Sequence, residues 1–251
     1  MISYQRPLET ARLIQEPFHQ GGHCSALRAR PNSRMRLNGD YARDGSALVQ
    51  GLLSEDVCGF ILAQLRSDLD RAGRRIEDMA LDSGLVDRPT SEIYGYGYPP
   101  LLTLLWGLSP AMEQLIGTSL VPTYSYLRIY RKGDICRVHS DRQSCEHSAS
   151  VTLMYSDGLT WDLEVGTDPV APLNGRTSDD FQGEGSRALS MAPGDAVLYN
   201  GVTRRHGRTA PNPNRWSAHL FCHWVERDGR FSEFAYDRRQ ATFANSAFDF
   251  A

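Results

Sequence analysis

The sequence predicts a mainly β protein with flanking helices, an α+β chain whose strands form an antiparallel sandwich or jelly roll. From Thr123 onward, the runs YSYLRIYR, SVTLMYS, TWDLEV, DAVLYNG and RWSAHLFCHWV are rich in β-branched and aromatic residues and are separated by Gly, Pro, Asp and Asn. That is the pattern of short strands divided by turns. Upstream, Val57, Phe60, Ile61, Leu65 and Leu69 recur at helical spacing, which predicts a helix with one buried face. The 251 residues are 41% hydrophobic and 23% charged, enough to bury one sizeable core, and no Pro/Ser-rich linker divides them. One domain over 1–251 is expected: loop and helices through 120, a β-rich core over 121–226 and an extension over 227–251.

The segment Gly21 to Asp44 is rich in Arg, Gly and Asn and is expected to be a loop or lid. Its arginines either meet an anionic substrate or are solvated, as His23 is expected to be. The apolar stretch Ala47 to Leu53 leads to Ser54, a helix cap followed by Glu55 and Asp56 at the positive helix end, and the helix should run to about Arg71. Ser91 to Pro100 concentrates Tyr and Gly and suits a loop in which Tyr96 either faces a ligand or packs on the core. Leu101 to Leu108 precede Ser109-Pro110, a cap and first-turn pair for a further helix that Gly117 can end. The polar stretch Thr167 to Ser186 reads as a long connection between strands.

The formal charge of −3 supplies no global positive field for nucleic acid or an anionic membrane. The first residues, MISYQRPLETARLIQEPF, lack an apolar core behind a basic start, and no run approaches spanning length. Cys24, Cys58, Cys136, Cys145 and Cys222 are scattered and odd in number, which fits reduced thiols. A soluble cytoplasmic protein is the expectation.

His139 and Asp141 stand two residues apart, so in an extended segment their side chains share a face. The turn and apolar strand Met191 to Gly201 can carry His206 back beside them. Two imidazoles and one carboxylate on one face of Fe(II) leave positions open for further ligands, whereas structural zinc favours a closed tetrahedral set. Arg215 and Ser217 open the last strand run, where alternation puts Arg215, Ser217, His219 and Phe221 on one face. A guanidinium beside a hydroxyl suits a carboxylate. His147, His219 and His223 are expected to be core or surface histidines, with His219 also a candidate for lining a pocket.

At this point the chain resembles the Fe(II)/2-oxoglutarate-dependent dioxygenase superfamily, and within it the prolyl-hydroxylase-like branch. The resemblance runs through R128-I-Y130-R-K-G133-D134, H139-S-D141, V151-T152-L153, P193-G194-D195 with Y199-N-G201, then His206 and R215-W-S217, over roughly Leu120 to Glu226. The upstream ALVQGLLSEDVC is similar to an entry helix common in such enzymes. The resemblance implies a double-stranded β-helix in which His139, Asp141 and His206 ligate iron. It further implies that Arg215 and Ser217 hold the distal carboxylate of 2-oxoglutarate, supported by Tyr130 and Thr152, and that O2 is consumed with formation of succinate and CO2. D141-R142-Q-S-C145-E146 is similar to a signature of a bacterial subgroup; Arg142 and Glu146 either pair to fix this loop or touch substrate, and Arg208 is a substrate or cosubstrate contact or a surface arginine.

The intact carboxylate of Asp141 implies hydroxylation, desaturation or ring closure rather than halogenation. Arg215, where prolyl hydroxylases usually carry Lys, and Thr160 to Leu163, where they carry Gly-Gly-Glu, point away from peptidyl proline. The expected substrate is a small molecule, an amino acid or specialised metabolite. The alternatives are a peptide or protein hydroxylase and a catalytically inactive jelly-roll binding protein.

Overall fold

The computed structural model describes residues 35–171 and 177–239. The first part of the expected loop, 21–34, with His23 and Cys24, lies outside the described residues. Its remainder is not loop. Arg36–Asn38 form strand β1 and Tyr41–Asp44 a helical turn, α1. Asp40 caps that turn, accepting from the N–H of Arg43, and Gly45 ends it at φ 67°, a left-handed conformation that suits glycine.

Two antiparallel sheets make the body. The larger has eight strands in the order β1, β2 (Ser46–Gln50), β10 (Ala196–Tyr199), β7 (His147–Tyr155), β12 (Trp216–Glu226), β5 (Leu120–Arg131), β4 (Thr90–Tyr94) and β3 (Ala80–Leu81). The smaller has four, in the order β6 (Cys136–His139), β11 (His206–Arg208), β8 (Leu163–Gly166) and β9 (Ser186–Leu189). The expected strand runs all fall in this set. The connection Thr167 to Ser186 is irregular where described, apart from a bridge between Val138 and Ser178, and its last residue opens β9.

Alternation along the three central strands explains both faces of the large sheet. Ala218, Leu220, Cys222 and Trp224 of β12, with Ala149, Val151 and Leu153 of β7, join the core beneath the helices. The residues between them, Ser217, His219, Phe221 and His223, with Ser148, Ser150 and Thr152, are also buried but on the other face. A strand with two buried faces, one aliphatic and one polar or aromatic, marks the second face as a lined interior and not as ordinary core.

Helix α2 (Glu55–Arg71) begins where expected, with the Ser54 hydroxyl accepting from the N–H of Val57. Its buried face is rotated from the expected one: Val57 is 40% and Phe60 67% exposed, whereas Cys58 and Leu65, with Ile61, Leu62 and Leu69, pack on the core. The spacing Cys58, Leu62, Leu65, Leu69 is equally helical, and cysteine counts as a small hydrophobe. Ser91 to Pro100 is not one loop, because Ser91–Tyr94 pair with β5 and the chain turns only at Gly95 to Tyr98. Nor does Ser109-Pro110 start a helix. Helix α3 runs unbroken over Pro99–Ile116, with prolines at its first turn. Pro110 lacks the N–H that would reach the carbonyl of Trp106, but Trp106 is half exposed, and the Ser109 hydroxyl donates to Leu105 O at 3.1 Å.

The turn Pro193-Gly194-Asp195 fastens α2 to the sheet. Gly194 N–H donates to Thr152 O at 2.8 Å, Gly194 O accepts from Leu53 N–H at 3.0 Å, and the Asp195 carboxylate takes the N–H groups of Gly51 and Ala192. Gly194 sits at φ 90°, and a Cβ there would lie 2.2 Å from Leu53 O. Replacing Gly194 with Ala combines a positive φ with a backbone clash. It should cost at least about 1–3 kcal/mol, read as a lowered midpoint in urea denaturation.

Candidate metal centre

His139 is the last residue of β6 and His206 the first of β11, and the pairing register sets them directly opposite each other. Their rings lie 4.4 Å apart between centroids. Asp141 follows β6 in a turn held by its own N–H, which donates to Gly201 O at 2.7 Å. Its Oδ1 is 3.5 Å from Nε2 of His139 and 3.5 Å from Nε2 of His206. One ligand atom from each of the three residues can be chosen so that all lie within 4.8 Å of one another.

The back side of each imidazole is fixed. Nδ1 of His139 lies 2.7 Å from Arg137 O and Nδ1 of His206 lies 2.9 Å from Arg204 O. A carbonyl only accepts, so each Nδ1 carries a proton, and Nε2 is the ring atom left to face Asp141 and a metal. Burial, then the neighbouring His206, lowers the pKa of His139. Burial alone would raise Asp141, but the two histidines hold its carboxyl well below the ordinary range. Two imidazoles and a carboxylate that converge through Nε2, Nε2 and Oδ1 are the donor set a divalent metal takes up in place of protons, so these residues fit Fe(II).

Gly201 makes this approach possible. A Cβ there would meet Asp141 Oδ2 at 2.4 Å, Cys145 O at 2.5 Å and the Ser148 hydroxyl at 2.9 Å. The Cys145 thiol itself is buried and lies 3.1 Å from the Tyr124 hydroxyl.

Farther into the interior, Arg208 is 1% exposed. It donates to Trp161 O, its guanidinium lies 4.8 Å from the Trp161 ring centre, and Nη2 is 3.3 Å from Nδ1 of His219. Burial, then Arg208 and Arg128, push the pKa of His219 well down, so this imidazole is neutral and does not add charge. The hydroxyls of Thr152 and Tyr155 lie 3.4 Å apart, with Thr152 Oγ1 3.3 Å from Nδ1 of His219. Ser217 Oγ is 3.3 Å from Nε2 of the same ring, and Tyr130 packs edge-on against Trp161 and His219. Arg128 is buried as well, but its guanidinium is paired at 2.7 Å with the buried carboxylate of Glu92. Among the described residues, no carboxylate stands within 4.0 Å of Arg208.

The expected cosubstrate residues therefore separate. Ser217, Tyr130 and Thr152 line the interior, and Arg215 does not. Strand β12 begins at Trp216, one residue after Arg215, so alternation does not extend to it. Its N–H and its Nε bind the Asp157 carboxylate at 2.6 and 2.9 Å, and its side chain is 73% exposed. Arg208, expected as a substrate or cosubstrate contact or a surface arginine, is buried in the interior; it stands two residues after His206, on the same face of an extended segment.

The expected Arg142–Glu146 pair is also absent. Arg142 stacks 4.4 Å over Tyr124 and binds Asp237 at 2.8 Å, whereas Glu146 accepts from the N–H of Glu226 at 2.9 Å. A 3-10 turn over Gln143–Cys145 separates the two residues, and each takes a different partner. The Tyr96 hydroxyl donates to Thr123 O at 2.5 Å and lies 3.0 Å from Tyr236 O. Tyr96 and Arg142 thus both touch the segment Ser232–Arg238, which sequence reasoning left as an extension. His223, buried against Ser148 at 2.8 Å, lies within ligand reach of Asp141 and Cys145.

No protein-family model and no curated protein matches the chain. Solved structures do. The non-heme α-ketoglutarate-dependent carbocyclase SnoK of nogalamycin biosynthesis superposes with a TM-score of 0.58 at 14% identity, over 82% of this chain and 88% of that one. EctD from S. alaskensis, with bound Fe, gives 0.54 at 17%, over 78% and 85%. HygX from Streptomyces hygroscopicus, with nickel and 2-oxoglutarate bound, gives 0.53 at 13%, over 75% and 85%. The fold is the jelly roll that these structures share. No described helix is long and apolar enough to cross a membrane.

Gly201→Ala should displace Asp141 or its turn and lower Fe(II) affinity by roughly 10-fold to 100-fold, the range seen when support of a metal ligand is lost. Metal content after equilibrium dialysis measures this directly.

Proposed function

We propose that the chain is an Fe(II)/2-oxoglutarate-dependent oxygenase acting on a small molecule. The observation that carries this reading is the pairing of a His139–Asp141–His206 donor set with a buried arginine, Arg208, that has no carboxylate partner among the described residues. A guanidinium out of water without a counter-ion is costly. A dicarboxylate cosubstrate whose distal end reached Arg208 would supply that counter-ion, with two acceptor oxygens for the guanidinium fork. The fold relatives support the pairing: SnoK is α-ketoglutarate-dependent, EctD was solved with Fe and HygX with nickel and 2-oxoglutarate.

On this reading His139, Asp141 and His206 hold Fe(II), which supplies oxygen activation coupled to oxidative decarboxylation of 2-oxoglutarate to succinate and CO2. The protein binds and aims. Arg208, with the hydroxyls of Thr152, Tyr155 and Ser217, receives the distal carboxylate; Tyr130 and Trp161 wall that end and keep water out. Arg215 stays outside, bound to Asp157.

The substrate side is lined by Tyr94, Tyr124, Tyr126 and Phe221, stacked in sequence with centroids 4.7 to 6.3 Å apart. Ser232–Arg238 reaches over this side, tied to Arg142 beside Asp141 and to Tyr96. That cover favours a compact substrate over an extended peptide.

Succinate release from 2-oxoglutarate, with Fe(II) and a metabolite panel, tests the reading. Arg208→Ala should weaken cosubstrate binding by about 2–5 kcal/mol, a rise in apparent KM of roughly 30-fold or more, while Arg215→Ala should stay within a factor of a few. The reverse ranking would return the anchor to Arg215. Loss of iron-dependent turnover in His139→Ala and Asp141→Ala is expected, and unchanged turnover in either would refute the centre.

A further inference from the structure

A second group of metal-type ligands lies outside the interior. Strand β7 opens with His147 and β12 ends with Glu226, and because these strands are antiparallel neighbours both residues fall at the same end of the sheet, with Glu146 one residue before β7. One ligand atom each from Glu146, His147 and Glu226 lie within 4.8 Å of one another. His147 shares the strand face of Ala149 and Val151, the face covered by helices, whereas the interior is lined from the opposite face.

The imidazole of His147 is oriented and incomplete. Nδ1 lies 2.7 Å from the hydroxyl of Tyr41, a residue of α1. Burial raises the Tyr41 pKa far above its ordinary value, so that hydroxyl is neutral. Nε2 is buried, has no hydrogen-bond partner, and points at Glu226 Oε1 3.5 Å away; the residue is 5% exposed. Burial lowers the pKa of His147, which disfavours an imidazolium there. Whichever of the two atoms donates, Tyr41 fixes the ring from behind and leaves Nε2 facing a carboxylate.

The carboxylates have the same deficit. Among the described residues, neither Glu146 nor Glu226 has an Arg or Lys within 4.0 Å. Burial, opposed in part by the N–H of Glu226, raises the pKa of Glu146, and the nearby Glu226 charge adds to it. A buried, unsatisfied ring nitrogen and two carboxylates without a basic partner converge on one point, and carboxylates so placed repel each other unless a cation lies between them.

We propose that Glu146, His147 and Glu226 bind a second divalent metal ion of the Mn(II) or Zn(II) type, with the Tyr41 hydroxyl holding the imidazole from behind. One imidazole and two carboxylates suit a borderline first-row ion better than a thiolate-seeking one. Ligand atoms at about 2.0–2.2 Å from such an ion stand closer together than the present spread, and the Glu226 side chain, 40% exposed, is free to close the difference and leaves an entry path. The ion would tie α1, the start of β7 and the end of β12 together, and fix the loop between Asp141 and His147. This site is independent of the function proposed above.

Mn(II) titration of the full chain, with free ion read by electron paramagnetic resonance, tests it. Wild type is expected to bind two equivalents, and Glu226→Gln and His147→Ala one each. Glu226→Gln keeps the shape of a half-exposed side chain, so it separates lost ligation from lost folding. The double variant His139→Ala/Asp141→Ala should retain one equivalent, and Mn(II) at 100 times its Kd should raise that variant's stability by about 2.7 kcal/mol, seen as a higher melting temperature. Wild-type stoichiometry unchanged by both His147→Ala and Glu226→Gln would overturn the site and leave a His147–Glu226 ion pair only. Failure of the first centre reads differently, as wild-type stoichiometry unchanged in the double variant.

Discussion

The pairing of β6 with β11 is the constraint on which the rest of the interior depends. These strands have only four and three residues, yet their register decides that His206 faces His139 and, two residues on, that Arg208 points the same way. A shift of one residue would turn every side chain of β11 to the other face. The short strands are therefore pinned from several sides: the Nδ1 contacts to Arg137 O and Arg204 O, the N–H of Asp141 on Gly201 O, and Gly207, where a Cβ would meet Cys136 O at 2.8 Å. The register also shifts between His206 and Arg208, and such irregularities commonly re-aim a side chain beside a site.

Charge is handled in two ways within one interior. Arg128 comes with Glu92, closes a hydrogen bond to Tyr130 and lies near three aromatic rings, so it is complete by itself. Arg208 is placed among neutral groups, and His219, 3.3 Å from its guanidinium, is held uncharged. The first arrangement stabilises a wall; the second leaves a preference for an anion. The distinction follows from the presence or absence of one carboxylate and not from burial, which both arginines share.

The central strands were legible because β5, β7 and β12 are long and alternate clearly. The short strands that hold His139, His206 and Arg208 were not: HGR and CRVH are too short and polar to show a period. His139, Asp141 and His206 could be singled out as residues, and the fold brings them together, but Arg215 was placed by extending alternation one residue past the start of β12. On α2, reading Val57 and Phe60 as core failed because Cys58 was not counted as apolar. Arg142 and Glu146 invited pairing by opposite charge, whereas their partners, Asp237 and the backbone of Glu226, are more than 75 positions away and beyond any local pattern.

Cys145 bears on the durability of such a centre. Its thiol lies within ligand reach of Asp141, yet it is fully enclosed, touches the Tyr124 hydroxyl, and burial followed by the Asp141 charge pushes its pKa well above the ordinary range. Oxidants attack the thiolate far faster than the thiol. Burial, the larger of the two causes, does not depend on whether a metal is bound, so an oxygen-activating centre would have beside it a sulfur that its packing keeps in the less reactive thiol form.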